Sequence, residues 1–199
     1  EAKAEIRRAA RMEKVAALSA PAPLPKDRKY AVILADPPWR YEYIETESRA
    51  IENQYPTMSM EELCALDVMG LATTDAVLFL WVTNPKLAEG LKLIQAWGFD
   101  YRTNMVWVKD QPGMGYYVRA QHELLLIAKR GELPVPEASD RPLSVIQAPR
   151  GKHSAKPAIV YKLVDRMYPN LPKLELFARG AAREGWLQWG NEAESGNAL

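Results

Sequence analysis

Cysteine is almost missing from this sequence; Cys64 is the only one. A lone thiol closes no internal disulfide and completes no zinc site. Oxidative cross-links and thiolate metal centres therefore drop out, and a reducing, cytoplasmic setting is expected. Histidine is nearly as scarce, with only His122 and His153, and a structural imidazole is the default reading of each. No apolar run approaches the ~20 residues of a membrane span, and no secretory signal pattern is visible. The few glycines form neither a GxGxxG nor a GxxxxGK[ST] spacing, which removes the dinucleotide and P-loop readings. No sign of charge dominates. Against 26 Lys and Arg stand 25 Asp and Glu, a net charge of +1. Binding to a polyanion would thus have to use local basic patches rather than a global field. Internal repeats are absent.

What is present fits one domain of 199 residues with a full core. Residues 1–18 read as a helix, with Lys3, Arg7, Arg8, Arg11 and Lys14 at near-helical spacing. This is either a nucleic-acid or partner arm or a plain solvated helix. The chain divides into this basic helix with a Pro-rich linker (1–25), a compact domain (26–192) and a polar tail (193–199). Strands are expected over Tyr30–Ala35, Asp75–Val82, Tyr101–Lys109, Glu123–Lys129, Val145–Ala148, Lys173–Arg179 and Trp186–Trp189. A helix opens at Ser59, with Glu62 completing a capping box. A second runs Pro85–Trp97 with Leu87, Leu91, Ile94 and Trp97 on one face, stopped by Gly98. A third begins at Lys156-Pro157 and carries Ile159, Leu163 and Met167 on one face. Alternating strands and helices mean an α/β fold with a mainly parallel sheet.

The chain is organised around Asp36-Pro37-Pro38-Trp39, which ends the first strand. Two prolines fix φ and remove donors, so the ladder must stop there. The edge of an open α/β sheet where strands end is where ligands bind. An acid and a free carbonyl accept both hydrogens of an exocyclic amine, and a neighbouring ring stacks on a base. The plainer reading is an ordinary strand end with a Pro-rich turn and a core tryptophan. After it, the polar stretch 40–57 holds Tyr41, Tyr43 and Tyr55 and is placed to close over a substrate.

Seven landmarks in order carry a resemblance: Ala35-Asp-Pro-Pro-Trp39, Leu78-Phe-Leu-Trp-Val-Thr-Asn84, Val106-Trp-Val-Lys109, His122-Glu123, Ser154-Ala-Lys-Pro157, Glu175-Leu-Phe-Ala-Arg179 and Gly190-Asn-Glu192. From about Tyr30 to Glu192 the chain resembles the DPPW-type adenine methyltransferases. These include the catalytic subunit of the messenger-RNA adenosine methyltransferase and small bacterial and phage relatives. The resemblance implies a Rossmann-like methyltransferase fold in permuted order over 26–192, with the catalytic turn early and the cofactor strand, Leu174–Phe177, late. It also implies S-adenosylmethionine as cofactor and methyl transfer to the exocyclic amine of adenine. Asp36, Pro37, Pro38 and Trp39 become the catalytic turn, and Trp39 stacks on the target base. Lys156 partners the cofactor carboxylate, with Ser154 near it and Asp36 alongside. Arg179, Asn191 and Glu192 match the ribose contacts. Trp39, Tyr41, Tyr43, Arg119, His122 and Glu123 are the substrate-side candidates. Two departures stand out: Gly180-Ala-Ala182 lacks a polar pair found in some relatives, and no residues match those that hold the cofactor adenine.

Nucleic acid is the expected partner, with DNA ahead of RNA. A homodimer stays open as the assembly, and no membrane or metal is expected. The competing classes are an RNA methyltransferase, a non-catalytic binding subunit of the same fold, and a methyltransferase for a free small amine.

Overall fold

Six consecutive buried residues, Tyr30–Ala35, form β1 inside the sheet. Ile33 and Ala35 enter one apolar layer, Val32 and Leu34 the other. Cover on both faces is why this strand reads as a continuous apolar run instead of an alternation. The computed structural model describes residues 23–41, 57–115, 117–151, 155–181 and 183–193. The expected basic helix, the loop with Tyr43 and Tyr55, and Ser154 and His153 lie outside the described residues.

Along the chain follow β2 (Ala72–Val82), β3 (Asp100–Val108), β4 (His122–Arg130), β5 (Val145–Gln147), β6 (Lys173–Leu176), β7 (Arg179–Gly180), β8 (Trp186–Trp189) and β9 (Glu192–Ala193). Seven of them make one sheet in the order β5-β3-β4-β2-β1-β6-β8, and β7 pairs with β9 in a small second sheet. The pairs β1–β2, β1–β6, β6–β8 and β3–β5 are parallel; β4 alone runs against its neighbours β2 and β3. The expected α/β architecture with a mainly parallel sheet is thus found.

Helices α1 (Met60–Ala65), α2 (Val68–Leu71) and α3 (Leu87–Ala96) cover one face with Leu63, Val68, Leu71, Leu93 and Ile94, and Trp97 follows α3 into the same layer. On the other face lies α4 (Ile159–Met167), inserting Val160 and Val164. The capping box is formed. Ser59 Oγ accepts from the Glu62 N–H at 3.2 Å, and a Glu62 carboxylate oxygen accepts from the Ser59 N–H at 2.7 Å. Gly98 ends α3 at φ +78°. Among the described residues no helix is long and apolar enough to cross a membrane.

Four details differ from expectation. β2 starts at Ala72, and the short α2 before it leaves no sequence periodicity to detect. Leu87 is exposed, and the inward stripe of α3 is Gly90, Leu93 and Ile94. The cause is the 3-10 turn Asn84–Lys86, whose ~3 residues per turn shift the phase set by Pro85. Ile159 likewise stands off the stripe centred on Val160 and Val164. Finally β6 stops at Leu176, because Phe177 takes φ 62° and turns the chain away.

The reversal of β4 positions the site. Register pairs Ala35 with Leu80 and Leu176, Leu176 with Trp189, and Val82 with Leu124. The ends of β1, β2, β6 and β8 therefore share one edge, and the antiparallel strand brings the start of β4, His122-Glu123, to that same edge.

Candidate active site

At this edge β1 gives way to the two prolines. Asp36 makes a last ladder contact, its N–H donating to Leu176 O at 3.4 Å. The turn then folds on itself: Trp39 N–H donates to Pro37 O and Met58 N–H to Pro38 O, both at 2.9 Å. The Asp36 side chain projects from a backbone held on both sides.

Opposite it stands Lys156. Its Nζ lies 2.7 Å from both carboxylate oxygens of Asp36 and 3.5 Å from Glu123 Oε2. Glu123 Oε1 in turn accepts from Lys109 Nζ at 2.5 Å. The result is a row of alternating charge, Asp36–Lys156–Glu123–Lys109. Lys156 and Glu123 side chains are each only 13% exposed, so water screens this row weakly. Two indoles form its floor. Lys156 sits 5.7 Å from the Trp81 ring and Lys109 4.9 Å from Trp107, and the two rings meet edge to face at 6.0 Å.

Burial pulls the Lys156 ammonium toward lower pKa, but Asp36 and then Glu123 beside it win, and the group is held above the ordinary lysine range. Burial pushes Glu123 upward, yet Lys156 and Lys109 outweigh that and hold it below the ordinary glutamate range. The stability from Glu123 is present above its unfolded pKa and lost as pH falls through the lower folded one. That from Lys156 is full below its unfolded pKa and lost as pH rises through the higher folded one. The Lys156–Glu123 contact is therefore intact across the neutral range.

A cleft opens over this row, lined by Asp36, Pro37, Tyr41, Thr83, Glu123 and Arg179 among others. Tyr41 Oη and Thr83 Oγ1 share a hydrogen at 2.7 Å. Beyond Glu123 lies a polar cavity of about 400 Å³ bounded by Trp107, Lys109, Gln111 and Arg150. The rim on the β6 side is a pair of turns. Ala178 N–H donates to Trp189 O at 2.9 Å, and Arg179 pairs in register with Glu192. A Cβ on Gly190 would stand 2.5 Å from Ala178 O and 2.6 Å from Ala178 N, so only glycine lets these turns close. Arg179 is thereby paired with Glu192, one residue after Asn191.

Of the residues singled out from the sequence, Asp36, Pro37, Trp39, Tyr41, Glu123, Lys156 and Arg179 converge on the cleft. Asn191 is exposed in the turn before β9. His122 is exposed and is not among the cleft-lining residues, and Arg119 lies out on the β3–β4 loop, its Nε 3.4 Å from Gly113 O. Pro38 acts through its carbonyl, which is spent on Met58. Trp39 differs most from the expectation of an open stacking platform. It is 6% exposed, packs in the apolar layer of α1–α3, and donates its indole N–H to Trp81 O at 3.3 Å. Only a margin of it borders the cleft. Sequence reading passed over Trp81, Thr83 and Lys109. All three lie inside quoted landmarks, and the sign available was the hairpin that sets Lys109 opposite the start of β4.

Comparison with known proteins adds to this geometry. Residues 30–192 match the MT-A70 family. The chain is 37% identical over 183 residues to the Type II methyltransferase M.MunI of Mycoplasma sp, covering 83% of this chain and 78% of that one. It is 32% identical over 172 residues to the N(6)-adenosine-methyltransferase MT-A70-like protein of Arabidopsis thaliana, and 28% over 177 residues to the human N(6)-adenosine-methyltransferase catalytic subunit METTL3. It spans only 24% and 28% of those two longer chains.

Proposed function

The chain belongs to the MT-A70 family of S-adenosylmethionine-dependent methyltransferases, and from that premise we propose that it methylates the exocyclic amine of adenine in DNA, in the cytoplasm. DNA is favoured over RNA because the Type II methyltransferase matches over most of both lengths, whereas the adenosine methyltransferases match over about a quarter of theirs. The observation that carries the reading is the Asp36–Lys156 pair at the end of β1.

The donor set fits the cofactor. A carboxylate and an ammonium side by side are complementary to the ammonium and carboxylate of an amino-acid group, and each is satisfied by the other until that group arrives. Lys156 would take the carboxylate and Asp36 the ammonium end, with Arg179 and Asn191 toward the ribose. S-adenosylmethionine, when bound, supplies an electrophilic methyl group on a sulfonium.

The chain's own part is orientation and electrostatics. An adenine amine is a weak nucleophile because its lone pair is delocalised into the ring. Asp36 Oδ and the Pro37 carbonyl, which has a lone pair beyond the one given to Trp39, would accept its two hydrogens. That frees the nitrogen lone pair and aims it. Trp39 and the Met58 contact hold the turn in place. The Glu123 row keeps Lys156 charged throughout.

Labelled methyl transfer to unmethylated DNA, RNA and free adenosine tests the proposal. The label is expected in DNA adenine. Asp36→Asn should lose about two orders of magnitude in kcat at saturating cofactor. Transfer to RNA alone would move the function to an RNA adenosine methyltransferase. Cofactor binding without transfer to any acceptor would make the chain a binding subunit.

A further inference from the structure

Between β3 and β4 the chain projects an apolar tip. Met114 is 78% exposed, Tyr117 fully exposed and Val118 72% exposed. None belongs to either core layer. Water is a poor place for three large apolar side chains in one loop, and such clusters mark interaction sites.

The tip is a built projection. Beyond the strands the hairpin ladder continues, with Lys109 N–H donating to Gln121 O at 2.8 Å, Gly113 N–H to Ala120 O at 2.7 Å and Ala120 N–H to Met114 O at 3.3 Å. The Gln121 amide donates back to Lys109 O at 3.0 Å. A Cβ on Gly115 would lie 1.9 Å from Val118 O, so the tight apex requires glycine there. The roots of the hairpin are Lys109 and Glu123, both members of the charged row at the cleft. Five residues of extended chain reach at most about 16 Å from that row.

We propose that this tip is a duplex-insertion element: Met114, Tyr117 and Val118 enter the base stack beside the target adenine while Arg119 holds the adjoining phosphate. The inference rests on the DNA reading above. A base methylated on its exocyclic amine has to leave the helix, which leaves a hole and unstacked neighbours. Apolar side chains that wedge between base steps occupy such holes. Charge points to a polyanion over a second copy of this chain. Residues 111–121 contain Arg119 and no acid, and Arg150 stands beside the loop's base through Gln111. Two copies meeting tip to tip would oppose like charges.

The test compares wild type, Tyr117→Phe and the triple variant Met114→Ser, Tyr117→Ser, Val118→Ser on unmethylated plasmid duplex and on the same DNA as a single strand. All three positions are exposed, so melting temperature and cofactor affinity by calorimetry should not move. For the triple variant, kcat/KM on duplex should fall about tenfold or more, with a smaller loss on the single strand, where no stack is broken. Tyr117→Phe should keep activity within about twofold, since a ring and not a hydroxyl is needed. A triple variant as active as wild type on duplex overturns the proposal, as do equal losses on both DNA forms. A loss accompanied by dissociation of a dimer in sedimentation velocity also overturns it and makes the tip a self-association surface. Absence of transfer by the wild type to any DNA would remove the proposed function and this element with it.

Discussion

Trp39 shows how one side chain can answer to two readings. As a ring after Asp-Pro-Pro it suits base stacking. In the structure it is packed under α1–α3 with its N–H committed to Trp81 O, and its effect on chemistry passes through the turn it anchors. Trp39→Ala is expected to cost about 3–5 kcal/mol of stability, the usual range for a buried Trp truncation, and to weaken cofactor binding and transfer together. Trp39→Phe keeps most of the apolar volume and loses the hydrogen bond, so it should cost about 1–2 kcal/mol. Denaturant midpoints read both. A Trp39→Ala protein with an unshifted midpoint and a loss confined to the KM for nucleic acid would restore the stacking role.

Elements decide which residues meet. Asp36 and Lys156 are 120 positions apart, and local pattern could name each only as a strand-end acid and a helix-start cation. Their family landmarks pointed to one site; the ion pair between them was not legible, since it depends on strand order and on β4 running backwards. The contact between Lys109 and Glu123 was hidden for the same reason, although both lie in recognised motifs and Glu123 was itself a candidate. Strand and helix existence was readable because burial on one or two faces leaves a period in the sequence. Helix phase was less so, as Leu87 and Ile159 show, because a 3-10 turn or a prolyl start moves the stripe by a residue. The paired turns after β6 and β8 were visible only as motifs, yet they make a prediction of their own. Gly190→Ala places a Cβ against the Ala178 backbone, which has no side-chain end that can swing away. The turns must part, shifting Arg179 and Asn191 together. Cofactor affinity should fall about tenfold, a loss of ~1.4 kcal/mol, with kcat at saturation much less affected. Calorimetric titration beside steady-state kinetics separates the two, and an unchanged affinity would show that this rim does not hold the cofactor.

The whole molecule carries a net charge of only +1, so its hold on a polyanion must come from a few local contacts. Lys86, beside Tyr41, is paired with Glu89; the other described cations at the cleft and hairpin include Arg119, Arg150 and Arg179, together with Lys109 and Lys156. The two lysines are tied into the acidic row, and the acids there cancel them at a distance. With Arg179 placed toward the cofactor ribose, that leaves Arg119 and Arg150, at the hairpin and its base, to meet phosphates. With each phosphate contact contributing a slope of about −0.9 in log affinity against log salt, kcat/KM for duplex DNA should fall with a slope of about −2 as salt rises. Arg119→Ala should make that slope shallower by about one. Cofactor affinity should change far less over the same range, because its anchor is a half-buried pair that salt screens weakly. The apolar tip alone would behave oppositely, since burial of apolar surface is not weakened by screening. A salt-independent kcat/KM for DNA would therefore mean that the substrate is held by the tip and cleft without phosphate contacts. A slope much steeper than about −2 would point to the basic residues of the 1–18 stretch as further contacts, with Arg7→Ala and Arg8→Ala then lowering it.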